Sequence, residues 1–93
     1  MPTIPLHNDS VLLTRLAAGD EAAFNTLFER HRDKLYRYLL KITKSSEIAE
    51  EIVIDIFVKL WIGRELMPRV QQLEGFLHKV AYHKALDFLR TAS

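Results

Sequence analysis

Apolar residues recur three or four positions apart along most of this chain, which is the spacing of the buried face of an α-helix. The longest stripe follows Asp20 and runs to Ile42, with His31 inside it. Gly19 and Gly63 follow two of the stripes, as glycines often do at helix ends. The pattern predicts four helices, which begin after an Asp9-Ser10 cap, after an Asp20 cap, at about Glu47 after a Ser46 cap, and at about Leu73.

The predicted helices end near Gly19, Lys44, Ile62 and Thr91, and the connections between them are short. Only residues 63–72, around Pro68, form a longer loop or irregular segment. Helices with short connections pack as antiparallel neighbours. We therefore expect an all-α fold, a compact bundle of about four helices, with residues 10–93 as one domain and residues 1–9 as a flexible tail. His31, a lone histidine on an apolar face, is expected to be a hydrogen-bonded core residue.

Composition excludes several classes of function. The 93 residues contain no cysteine, so a disulfide framework, a thiolate metal site and a cysteine nucleophile are excluded. Common catalytic motifs are missing, and His78 and His83 point away from each other on one helix and cannot share a metal. No apolar run reaches the roughly 18 residues of a membrane span, and no signal-peptide pattern is present. We expect a cytoplasmic protein that is not an enzyme and has no cofactor.

Charge is unevenly distributed, although the net charge is only +1. The third predicted helix carries an acidic block, and three β-branched residues lie among its charges. Such residues are mediocre helix formers, so helix propensity does not explain their presence there. The acids are Glu47, Glu50, Glu51 and Asp55, and the β-branched residues are Ile54, Val58 and Ile62. Two interpretations stay open: scattered surface hydrophobes, or a docking surface that offers apolar contact and carboxylates to a basic partner.

The fourth predicted helix is apolar around most of its circumference and has one narrow polar strip. Lys79, His83, Asp87 and Arg90 lie three or four residues apart on the strip, and Tyr82 borders it. Asp87 and Arg90 can pair, which would hold the guanidinium in place. A surface that contacts phosphates and bases has this composition. An ordinary solvated helix face has it too, so the pattern alone leaves both interpretations open.

Three stretches, in this order, resemble the extracytoplasmic-function (ECF) sigma factors of bacterial RNA polymerase. They are GDEAAF at 19–24 with LF at 27–28, then AEEIVIDIFVKLW at 49–61, then FLHKVAYHKALDFLR at 76–90. The family usually has AEDLVQEVF and then LW in the second stretch, and WLxxIAxNxAxDxLR in the third. The resemblance covers roughly residues 10–91 and implies region two of a sigma-70-family factor.

In that family the acidic helix docks on the coiled-coil clamp helices of the polymerase β′ subunit. By motif position, the resemblance implies that Glu51 and Asp55 take the places of the clamp-binding acids. Ile54 and Val58 belong to the same expected surface, and Ile54 stands where a glutamine is usual. The resemblance therefore gives the docking interpretation of the acidic helix a specific partner.

The family's last helix and the loop before it bind the non-template strand of the minus-ten promoter element and help to open the duplex. For this role we expect Lys79 and Arg90, with Arg64 and Arg69 in the loop, to contact phosphates, and Tyr82 to border the strip with an aromatic edge. His83 stands where an asparagine is usual, at a position that contacts an extruded base, and the loop around Pro68 is expected to complete the base pocket. Phe76 replaces the usual tryptophan, and a core role is expected for it.

The resemblance also implies an anti-sigma protein as a further partner and no membrane insertion. The family's second half, a helix-turn-helix domain that reads the minus-thirty-five element, is absent from this sequence, so a domain excerpt or a truncated product is expected. Two other interpretations compete. One is a helical adaptor that binds proteins through Ile54 and Val58 and touches no nucleic acid. The other is a helix-turn-helix reader of duplex DNA, for which the last helix is too apolar.

Overall fold

The computed structural model describes residues 9–92 of the chain. They form α1 (Asp9–Ala17), α2 (Glu21–Thr43), α3 (Ser46–Ile62), a 3-10 helix (Arg64–Arg69) and α4 (Leu73–Ala92). No β-strand occurs in this part of the chain, and the predicted all-α fold is confirmed. The tail predicted at the N-terminus lies outside the described residues except for Asp9, which is the first residue of α1.

Side-chain caps at the helix ends explain where the chain turns. The Oδ1 atom of Asp20 accepts hydrogen bonds from the backbone N–H groups of Ala22 at 2.9 Å and Ala23 at 3.2 Å, so this predicted cap is confirmed. The predicted Ser46 cap is wrong by one residue. Ser45 has the extended backbone of a cap, and its Oγ accepts a hydrogen bond from the backbone N–H of Ile48 at 3.2 Å. Ser46 is already helical.

The core forms where α2, α3 and α4 pack against one another, with α1 against α2. Phe57 of α3 is 2% exposed and meets Phe28 edge-on, with ring centroids 5.0 Å apart. Such edge-to-face pairs add stabilisation beyond the area that they bury. The other fully buried large side chains are Leu13, Leu16, Leu27, Leu35, Leu39 and Leu77.

His31 is buried on α2 and fastens the beginning of α1. Its Nε2 lies 3.0 Å from Oδ2 of Asp9, and Nη1 of Arg30 donates a hydrogen bond to Oδ1 of Asp9 at 2.7 Å. The prediction that His31 is a hydrogen-bonded core residue is confirmed. Asp9 therefore belongs to the folded domain, because its carboxylate joins two helices.

The segment that follows α3 and one residue of α4 differ from the predictions. Part of the predicted loop at 63–72 is the 3-10 helix, which includes Pro68 and packs against α1. Phe76 was expected in the core, but it is 38% exposed, so that prediction is wrong. The reason is its helical phase: Phe76 lies seven residues, or about two turns, before the exposed His83 and therefore shares its face.

None of the helices in residues 9–92 combines the length and the apolarity that a bilayer span requires.

The different burial of two phenylalanines gives a stability test. Phe57→Ala is expected to lower the free energy of unfolding by about 3–5 kcal/mol, because it removes a fully buried ring and leaves a cavity. Phe76→Ala is expected to cost clearly less, since solvent already reaches more than a third of that ring. Urea denaturation followed by circular dichroism measures both losses. Equal losses in the free energy of unfolding would show that Phe76 contributes to the core as much as Phe57 does.

Candidate docking and nucleic-acid surfaces

An exposed apolar row runs along the outer side of α3. Ile54 is 54% exposed, Val58 49% and Ile62 73%, and the three follow one another at four-residue steps. Glu51 is also exposed and Asp55 is half-buried. These five residues form what we call the α3 face. Its centre is apolar, and carboxylates border it.

Two surface cavities flank this row and extend the apolar surface onto α2. One, of about 460 Å³, is lined by Glu21, Phe24, Asn25, Val58, Trp61 and Ile62. The other, of about 320 Å³, is lined by Phe28, Arg32, Asp33, Tyr36, Glu50, Val53 and Ile54. Aromatic residues of α2 therefore border the α3 face at two places along the groove between α2 and α3. The helical pattern of α2 predicted Phe24 and Phe28 only as core residues, because the exposure of their ring edges depends on how α2 and α3 pack.

Asp55 is tied to α4 by an ion pair. Its Oδ2 lies 2.5 Å from Nζ of Lys84 and 3.5 Å from Nζ of Lys59. The hydrogen bond from Lys84 holds the pKa of Asp55 below its ordinary value, although partial burial opposes this shift. The hydrogen bond to Asp55 in turn raises the pKa of Lys84. Lys84, which the sequence analysis did not select, thus connects the α3 face to the fourth helix.

The polar residues of α4 share one exposed side. Lys79, Tyr82, His83 and Arg90 are all exposed, and we call this set the α4 strip. From Lys79 to Arg90 the strip is about 16 Å long at 1.5 Å per residue. The rings of Tyr82 and His83 lie edge to face, with centroids 5.8 Å apart. The predicted ion pair between Arg90 and Asp87 is observed at 3.7 Å. Phe76 adds a further exposed ring before the first turn of the strip.

The two arginines of the preceding segment are placed differently. Arg64, the first residue of the 3-10 helix, packs against the end of α3: its guanidinium carbon lies 4.3 Å from the Trp61 ring centroid, and its Nη1 donates a hydrogen bond to the Trp61 carbonyl at 2.9 Å. The Nε of Arg64 is buried. Arg69 is exposed at the end of the 3-10 helix, on the segment that leads into α4. Of the two, Arg69 is the better placed for a phosphate.

A cavity of about 610 Å³ opens at the beginning of α4. Its lining combines polar side chains of the connecting segment with α1 and α4: Asp9, Ser10, Leu13, Val70, Gln71, Gln72, Leu73, Glu74, Gly75 and His78. Glu74 is held by Lys34 of α2 at 2.9 Å, and this contact lowers the pKa of Glu74. Neither Pro68 nor His83, which were expected to form a pocket together, lines this cavity. Gln71 and Gln72 were missed because glutamine in a loop carries no motif.

Within residues 9–92, no group of three or more histidine, cysteine, aspartate or glutamate side chains is arranged to hold a metal ion.

Comparison with known proteins identifies the family. The sequence model described as Sigma-70 region 2 matches residues 27–93. The ECF RNA polymerase sigma factor SigM of Mycobacterium tuberculosis (strain ATCC 25618 / H37Rv) is 31% identical over 85 residues, which are 91% of this chain and 43% of SigM. The ECF RNA polymerase sigma factor SigK of Mycobacterium sp. (strain KMS) is 27% identical over 82 residues, which are 87% of this chain and 42% of SigK.

The chain spans less than half the length of the curated relatives that it matches. No solved structure matches it significantly. Sigma factors are initiation factors without catalytic activity, so the prediction that the chain is not an enzyme is confirmed. The family model covers most of the chain, and SigM is similar along nearly all of it. The chain therefore belongs to the sigma-70 family, as a region 2 domain of the ECF type.

Proposed function

We propose that this domain takes part in transcription initiation by docking on the β′ clamp helices of bacterial RNA polymerase through the α3 face. In this proposal, the α4 strip and the segment before it bind the non-template strand of the minus-ten element. The observation that carries the proposal is the presence of two chemically different exposed surfaces on neighbouring helices, one apolar with carboxylates and one basic with aromatic rings. This role would place the domain in the cytoplasm.

The α3 face has the composition of a docking site for a basic partner. Protein interfaces have an apolar centre and a polar rim, and complementary charge sets the partner and the association rate. Ile54, Val58 and Ile62 supply the centre, while Glu51 and Asp55 supply negative charge beside it. An anti-sigma protein that inhibits the domain would be expected to cover the same face.

Charge reversal on the α3 face tests the docking site. Glu51→Arg and Asp55→Arg are each expected to abolish binding to core RNA polymerase, because a like charge would then face a basic partner. Calorimetric titration of the core enzyme measures the affinity, and circular dichroism shows whether each variant is folded. Asp55→Arg also removes the contact with Lys84 and could disturb α4, whereas Glu51→Arg leaves that contact in place and tests the α3 face alone.

Glu65→Arg is the matched control, since it makes the same change of net charge at an exposed position of the 3-10 helix. It should bind like the unaltered domain. Unchanged affinity of both α3 variants would remove the docking role of this face.

The α4 strip is suited to a single strand of DNA. Lys79 and Arg90 can contact phosphates, while Tyr82 and Phe76 present exposed rings on which bases stack. A net charge of +1 supplies little affinity from counterion release. The free domain should therefore bind DNA weakly, and the polymerase would supply the remaining binding energy by holding the domain beside the promoter.

The cavity at the beginning of α4 is the proposed site for an extruded base. Gln71 and Gln72 carry amides that both donate and accept hydrogen bonds, as recognition of a base edge requires. Extrusion costs a few kcal/mol of stacking and pairing. Gly75, which lines the cavity, lies one turn before Lys79, so a strand that follows the α4 strip would pass this opening.

Strand preference tests this mode of binding. The complex of the domain with core RNA polymerase is expected to bind a single-stranded non-template oligonucleotide, selected from a random pool, more tightly than the same sequence as duplex. Fluorescence anisotropy at several salt concentrations measures both affinities, with core enzyme alone as the control, and the affinity should fall steeply with salt. Equal binding of the duplex would contradict base extrusion. Intact docking without any strand binding would favour the adaptor interpretation.

His83 is expected to set a base preference. Asparagine carries its donor and its acceptor on one amide group, whereas the imidazole of histidine carries them on two nitrogens of a rigid planar ring. His83→Asn should therefore change the preferred base at one position and leave the affinity for a scrambled strand nearly constant. Selection from a degenerate oligonucleotide pool measures this, and a uniform loss across all sequences would indicate a phosphate contact instead.

A further inference from the structure

Lys84 lies across the groove between α3 and α4. Its side chain is 25% exposed, and it borders two cavities of this groove. One, of about 130 Å³, is lined mostly by apolar side chains that include Ile56, Leu60 and Val80. The other, of about 480 Å³, is lined by Ile52, Phe88 and several charged residues. The aliphatic stem therefore covers apolar surface, while the ammonium group reaches Asp55.

We infer that Lys84 is an internal competitor for the α3 face: its ammonium group occupies the Asp55 carboxylate in the free domain, and a basic partner must displace it to pair with Asp55. This inference rests on the proposed docking function and assigns a residue of α4 to its control. Lys84 thereby lowers the affinity of the α3 face for its partner without being part of that face.

The position of the Lys84 side chain makes it a stronger competitor than an ordinary surface lysine. Its stem is partly buried against α3, so little rotamer freedom remains to be lost when the ammonium group meets the carboxylate. Lys59 contacts the same Oδ2 atom, but at 3.5 Å and with a side chain that is 64% exposed. A solvated lysine of this kind is displaced at little cost. Lys84 and Lys59 are therefore a matched pair that differs in burial and distance.

Thermodynamic linkage makes the competition reciprocal. If the Lys84–Asp55 ion pair disfavours the docked state, docking must weaken that ion pair by the same factor. The contact connects the docking helix to the helix that carries the α4 strip. Docking on the polymerase would therefore loosen one of the ties that hold α4 to α3.

Replacing Lys84 with methionine tests the inference, because methionine keeps an unbranched stem over the apolar groove and removes the charge. Lys84→Met is expected to bind core RNA polymerase about two- to fivefold more tightly than the unaltered domain, with the larger gain at low salt. Lys59→Met, the matched control, should gain clearly less. Calorimetric titration at two salt concentrations measures the dissociation constants.

A double-mutant cycle separates competition at Asp55 from a general effect of charge. In the background of Asp55→Asn, which weakens docking without reversing the charge, Lys84→Met should no longer change the affinity. Carbon-13 NMR of the Asp55 carboxyl supplies a readout that is independent of docking: in Lys84→Met its pKa should rise towards the ordinary value, because the hydrogen bond that lowers it most is gone while Lys59 remains.

The outcomes distinguish a failure of the proposed docking function from a failure of the competition by Lys84. If the unaltered domain does not bind the core enzyme, the proposed docking function is wrong and the competition fails with it. If the unaltered domain binds but Lys84→Met binds no more tightly, only the competition is wrong. A gain that persists in the Asp55→Asn background, or an Asp55 titration that does not move in Lys84→Met, would also overturn the inference.

Discussion

The burial of one row of small and apolar side chains on α4 is the constraint on which both exposed surfaces depend. Leu77, Ala81 and Ala85 are at most 1% exposed, and α4 packs against α2 and α3. Larger side chains at the alanines would overpack the contact with the neighbouring helices. This row fixes the rotation of α4 about its axis. The residues on the opposite side of α4, which are those of the α4 strip, must therefore face solvent. The α4 strip is thus a consequence of the core.

The same packing divides α3 between two tasks. Val53, Phe57 and Leu60 bury one side of the helix, while Ile54 and Val58, each one position after a buried residue, remain exposed. An apolar surface that the core does not use costs the isolated domain solubility and gains it no stability. The proposed docking partner would explain its presence. Asp55 lies where the exposed side of α3 approaches α4, which is why its carboxylate is within reach of Lys84.

Local patterns in the sequence predicted the helices, the Asp20 cap, the buried His31 and the exposed row of α3, because these depend on residues within a few turns of one another. The α4 strip was recognised as a pattern, and the resemblance to ECF sigma factors gave it a role. Apart from the Ser46 cap, which was wrong by one residue, the errors arose where residues far apart in the sequence meet. Phe76 looked like core because its face depends on how α4 is rotated, and no spacing rule brings Lys84 to Asp55, 29 positions away, or Asp9 to His31.

The modest charge of the domain is consistent with the proposed dependence of its DNA binding on the polymerase. Lys84 is paired with Asp55 and Arg64 packs on the Trp61 ring, so these two cations are engaged within the fold and contribute little to the attraction of DNA. A strand held only by Lys79, Arg69, Arg90 and aromatic stacking would dissociate readily at physiological salt. In the proposed function, tethering would change this balance, because a domain docked on the polymerase would meet the opened promoter at a high effective concentration and would need few contacts of its own. Weak intrinsic binding would also keep the free domain from occupying DNA at random, and recognition of a promoter would then be confined to the docked state.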